Sequence, residues 1–176
     1  MSTPYFVRPS HLDPAKLAQE WRKWIAEKPW DRFVTLAFNQ AGSPRPVNGL
    51  ADNQALALKD KLKEWDGRMQ RKVVGSKWAK NHDQRFVGVY TLERMSTNPH
   101  WHGLVRFYQV DDEERRRQGL EFDQWADTVW RKLVPSGDAV VKAVNDDPGA
   151  AGYVGKSMVD QLSFENWVSQ DEFWRP

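Results

Sequence analysis

No cysteine occurs among the 176 residues, which excludes disulfides, thiolate metal sites and cysteine nucleophiles. Histidine and tyrosine are scarce, at four each, so chemistry that needs an imidazole or a phenol has few candidates. No apolar run approaches the length of a membrane span, and Met1-Ser2-Thr3-Pro4 does not resemble the start of a secretory signal. The expectation is a soluble, intracellular protein with no membrane partner. Charge of neither sign dominates: 26 Lys and Arg against 24 Asp and Glu leave a formal net charge of +2, which does not by itself announce a polyanionic partner. Internal repeats and low-complexity tracts are absent as well.

What is abundant is tryptophan, with ten copies, most of which should pack in a core because each ring buries a large area. The length suits one domain over residues 1–176 with a sizeable core. Positive charge is concentrated between Lys59 and Arg85, where Lys59, Lys63, Arg71, Lys72, Lys77, Lys80 and Arg85 are candidates for phosphate contacts. The same residues also read as a solvated helix face and loop.

Hydrophobic spacing predicts the order of elements. Asp13-Pro14 opens a helix over about 13–28, with Leu17, Trp21, Trp24 and Ile25 on one stripe. Arg32 to Asn39 reads as a buried strand, and Leu58, Leu62, Trp65 and Met69 mark a long helix from about Asp52 to Arg71. Arg85 to Glu93 and His100 to Tyr108 form an antiparallel hairpin around a polar turn. Asp111 to Arg117 reads as a solvated connection, followed by a helix carrying Phe122, Trp125, Val129 and Leu133, then a strand over Asp138 to Val144. Asp147-Pro148 caps a last helix, and the tail over 161–176 has no assigned structure. This order implies an α+β fold, a central mostly antiparallel sheet flanked by helices, with the core over about 32–160.

The most specific motif is Pro99-His100-Trp101-His102-Gly103. Strand side chains alternate, so His100 and His102 share one face while Trp101 points to the other. Neutral imidazoles fixed on one face can bind a divalent ion. Glu93 joins them if it pairs across from His100, whereas a register slip of one residue sends it to the other face. Two histidines and a carboxylate suit Mn²⁺, Mg²⁺ or another borderline divalent ion, with coordination positions left for a substrate oxygen. The alternative is an ion pair of Glu93 with Arg94 or Arg106.

Tyr153 and Lys156 lie three positions apart on the last helix, so both emerge on one side of it. With a pKa near 10, a phenol is a poor nucleophile at neutral pH unless a cation favours its ionised form. Lys156 can supply that charge; equally, the tyrosine can pack and the lysine be solvated. The overlapping run Ala150 to Ser157 nearly spells a phosphate-binding loop, but Ala150 replaces its first glycine and only about 20 residues follow.

Three segments in order, Phe33 to Phe38, Pro99 to Gly103 and Gly152-Tyr153-Val154-Gly155-Lys156, resemble the HUH endonuclease superfamily, specifically the single-tyrosine rolling-circle replication initiators of plasmids and small DNA viruses. The resemblance implies an HUH/RRM-like sheet with a ferredoxin-like core. It also implies His100, His102 and Glu93 as ligands of Mn²⁺ or Mg²⁺, Tyr153 as nucleophile and Lys156 as its supporting cation. The implied activity is nicking and joining of single-stranded DNA at a replication origin, with or without a hairpin, and the further partners are a host helicase and polymerase. The implied location is the cytoplasm, or the nucleus for a eukaryotic virus. Rival readings are a non-cutting single-strand binding module of the same fold and an HUH transposase or relaxase.

Overall fold

The apolar run from Phe33 to Leu36 forms an inner strand, β1 (Arg32–Ala37), of a five-stranded sheet. The computed structural model describes residues 27–39, 51–95, 97–107, 112–144 and 167–174, with single positions between 16 and 25. The remaining strands are β2 (Val87–Glu93), β3 (His100–Arg106), β4 (Asp138–Ala143) and β5 (Trp167–Ser169). Two long helices connect them, α1 (Ala51–Val73) and α2 (Asp112–Leu133). The spatial order is β4-β1-β3-β2-β5, and every pairing is antiparallel. The expected α+β architecture is therefore present. Its first four strands follow the interleaved split βαβ arrangement of a ferredoxin-like core, with β5 added beside β2.

Period-two alternation divides the side chains between the two faces of the sheet. Val34 and Leu36 of β1, Tyr90 and Leu92 of β2, and Trp101 and Val105 of β3 share one face and pack with Leu62, Trp65 and Met69 of α1 and Phe122, Ala126 and Trp130 of α2. Trp65, Trp101 and Trp130 are fully buried there, and their indoles donate to the carbonyls of Ala126, Leu58 and Ala37 respectively. Each ring thus buries its area without leaving a polar N–H stranded.

The opposite face has a smaller core in which Ile25 and Trp30 pack with Val89 and Leu104. Described positions at 16, 19–20 and 23–25 are helical, in line with the expected N-terminal helix. This segment covers the half of the face at Val89 and Leu104. The other half carries Thr35, Glu93, His100 and His102.

One expectation from the sequence needs correction. The run after Asp111 is helix rather than connection: α2 begins at Asp112, where Asp112, Glu113 and Glu114 complement the positive end of the helix dipole. Arg115 bonds the buried Asp31, and Arg117 pairs with Glu114 within the turn. Within the tail, which the sequence left unassigned, β5 pairs with β2 and runs into a short 3-10 helix at Gln170–Glu172. The expected helix after Asp147-Pro148 lies outside the described residues. Among the described residues, no helix is long and apolar enough to cross a membrane.

Candidate metal centre

Register decides whether a carboxylate joins the two imidazoles. In the β2–β3 pair Glu93 stands directly opposite His100, and Thr91 opposite His102. Glu93 therefore lies on the histidine face. One carboxylate oxygen, Oε2, is 3.3 Å from His100 Nε2 and 3.4 Å from His102 Nε2. One donor atom from each residue falls within a cluster less than 4.8 Å across. The side chains are mostly buried, with 12 %, 12 % and 8 % of Glu93, His100 and His102 exposed.

The local sequence explains this convergence. β2 ends at Glu93, and Arg94 takes a left-handed φ of 49° that reverses the chain. Its carbonyl accepts the backbone N–H groups of Thr97 and Asn98, which closes the turn into His100. Trp101, between the histidines, is 1 % exposed and anchors β3 in the larger core. Gly103, the last residue of the motif, leaves room for the Tyr90 ring: a Cβ there would lie 2.5 Å from Tyr90 Cδ1.

Each imidazole is held at its Nδ1. His100 Nδ1 is 2.9 Å from the carbonyl oxygen of Asn98, an acceptor only, so Nδ1 carries the hydrogen and donates. Neutral His100 then presents a bare Nε2 lone pair toward the Glu93 carboxylate. Two acceptors cannot face each other at this distance without a proton or a cation between them. His102 Nδ1 is 3.0 Å from the Thr35 hydroxyl, and Phe33 stacks on the ring at 5.4 Å between centroids. Burial first, then electrostatic interaction with His100 and with Arg94, pulls the His102 imidazole down to about 4. It is therefore neutral at physiological pH, the form in which histidine ligates.

Donor type and convergence both fit a divalent cation, held by His100 Nε2, His102 Nε2 and a Glu93 oxygen. The set expected from the sequence is thus brought together. Of the alternative partners for Glu93, Arg106 stands opposite Val87, at the other end of the β2–β3 pair. Sequence reasoning missed Thr35 and Phe33, although Thr35 sits at the alternating position of the first motif that faces the histidines.

The remaining candidates lie elsewhere. Tyr153 and Lys156 are outside the described residues. Lys59, Lys63, Arg71 and Lys72 belong to α1, which packs on the face opposite the metal centre, and Lys77, Lys80 and Arg85 lie in the turns that follow. The structure does not bring this basic group together with Glu93, His100 and His102. Several of its members already have protein partners. Lys59 pairs with Glu172 at 2.9 Å, Lys63 and Lys72 lie over the rings of Trp174 and Trp125, and Arg85 donates to the carbonyls of Trp78 and Ala79. Arg71, Lys77 and Lys80 are exposed.

The chain matches no protein-family model, no curated protein and no solved structure.

Proposed function

We propose that this protein nicks and rejoins single-stranded DNA through a covalent 5′-phosphotyrosyl link, the reaction that starts rolling-circle replication. The observation that carries this reading is the convergence of Glu93, His100 and His102 at one end of an antiparallel sheet, following an apolar first strand and preceding a tyrosine-lysine motif.

A divalent ion held by the three ligands, Mn²⁺ or Mg²⁺, would draw charge from the scissile phosphate and orient it for in-line attack. The paired imidazoles favour Mn²⁺ of the two, since Mg²⁺ prefers oxygen ligands. The Tyr153 oxygen would bond to phosphorus as the bond to the 3′ oxygen breaks. The phenol loses its proton, and the departing 3′ oxygen gains one. Lys156 would offset the negative charge on the phenolate and on the phosphoryl oxygens. A phenolate is a good leaving group, so the link retains the capacity to be reversed by the free 3′ hydroxyl. Arg71, Lys77 and Lys80 would hold a flanking stretch of the strand away from the reacting phosphate.

The test is adduct formation on a random-sequence pool of single strands labelled at the 3′ end, with Mn²⁺ or Mg²⁺ present. A labelled protein band, lost in Tyr153→Phe and in His100→Ala or His102→Ala, is the expected result. Binding of the pool with no adduct in either metal would overturn cleavage and leave a single-strand binding module.

A further inference from the structure

The two imidazoles at the metal centre are held by different kinds of partner, and the difference has a chemical consequence. The Asn98 carbonyl can only accept, so it keeps a hydrogen on His100 Nδ1 and makes Nε2 the lone-pair nitrogen of the neutral ring. The Thr35 hydroxyl, 3.0 Å from His102 Nδ1, can both donate and accept.

We infer that Thr35 is a positioning residue for the metal centre, whose hydroxyl holds His102 with Nε2 toward Glu93 and accepts the Nδ1 hydrogen when Nε2 takes up a cation. This rests on the proposed metal centre and adds to it a residue on a third strand. Without a cation, neutral His102 can carry its hydrogen on Nε2 and donate toward Glu93, 3.4 Å away, while the Thr35 O–H donates to Nδ1. With a cation on Nε2, the hydrogen must sit on Nδ1, and Thr35 Oγ1 becomes its acceptor. The hydroxyl rotates to serve both states, so the ring need not turn when the tautomer changes.

The position suits the task. Thr35 stands directly opposite His102 in the β1–β3 pair, on the same face of the sheet. β-Branching restricts its χ1, which limits the arc over which the hydroxyl can swing. Phe33 lies against the His102 ring and blocks rotation from that side. A partner on the second nitrogen of a ligating histidine fixes its tautomer and orientation, and removing such a partner costs roughly 10–100-fold in metal affinity.

The experiment measures Mn²⁺ binding to the full chain by the loss of the free-ion paramagnetic resonance signal, for the parent, Thr35→Val and Thr35→Ser. Valine keeps the branched shape and removes the hydroxyl; serine restores the hydroxyl on a smaller side chain. The expected result is weakening by about 10–100-fold in Thr35→Val, recovery of most of that affinity in Thr35→Ser, and no matching fall in metal-free thermal stability in the valine variant. Thr35→Val binding Mn²⁺ as tightly as the parent overturns the role of Thr35 and leaves the metal centre standing. Equal weakening in both variants, tracking a fall in metal-free stability, also overturns it by showing a packing role. A parent that binds no Mn²⁺ overturns the metal centre itself, and this inference with it.

Discussion

Trp174 donates its indole N–H to Asp66 Oδ1 at 2.7 Å, joining the C-terminal segment to α1 across 108 positions of sequence. Gln170 donates to the same carboxylate, and the Tyr90 hydroxyl reaches it from the sheet. Asp66 is fully buried, and loss of hydration raises its pKa from the ordinary 3.8 to about 6, against the opposing effect of these hydrogen bonds.

The sign of the resulting pH dependence follows from that rise. Folded Asp66 holds its proton more tightly than the unfolded chain does, so this group's contribution to stability is full below about pH 4 and is lost as pH rises through about 6. The difference amounts to about 3 kcal/mol. Asp66→Asn cannot ionise and should remove this component, flattening the stability profile between about pH 4 and 7. Urea unfolding across that range checks it; an unchanged profile in the variant would show that Asp66 does not titrate there.

Metal should stabilise the fold, because the ligands converge only in the folded chain. Mn²⁺ at about 100 times its dissociation constant raises the unfolding free energy by about 2.7 kcal/mol if the unfolded chain does not bind it. Chelation should reverse the gain. In Glu93→Gln the added Mn²⁺ should shift the melting temperature much less, because the variant offers the ion no anionic ligand.

Gly103→Ala tests the packing behind the histidine motif. The added Cβ would stand 2.5 Å from Tyr90 Cδ1 and 3.0 Å from Val34 Cγ1, with the buried tyrosine offering little room to yield. The expected destabilisation is about 1–3 kcal/mol, measured by chemical unfolding. A variant as stable as the parent would show that the ring has space to move.

Among the basic residues, Lys77 and Lys80 are exposed nucleic-acid candidates, whereas Lys59 is held by Glu172. Lys77→Ala and Lys80→Ala should each reduce the dependence of single-strand affinity on salt, by about 0.7 in the log–log slope for each phosphate that is no longer neutralised. Lys59→Ala should leave that slope alone and instead loosen the pairing of α1 with Glu172. Titrations at several salt concentrations distinguish the two behaviours.

Much of the fold could be read from local periodicity. The stripe of Leu58, Leu62, Trp65 and Met69 marked α1, and the alternation around Trp101 marked β3, because each signal comes from near neighbours on one element. The start of α2 was obscured by its charged first turn, whose stability comes partly from Arg115 reaching Asp31. β5 was hidden for a similar reason. Three residues make no periodic signal, and their strand conformation depends on pairing with β2.

The amino-acid sequence alone determined that His100 and His102 share a face, since strand geometry alternates side chains whatever the strand pairs with. Only the tertiary structure decided that Glu93 stands opposite His100, that Thr35 meets the second ring nitrogen of His102, and that α1 carries its basic residues on the far side of the sheet. Those relationships depend on strand register, across a hairpin for Glu93 and across 67 positions for Thr35, and on which face each helix covers. A shift of one residue in register would reverse the outcome without changing any local pattern.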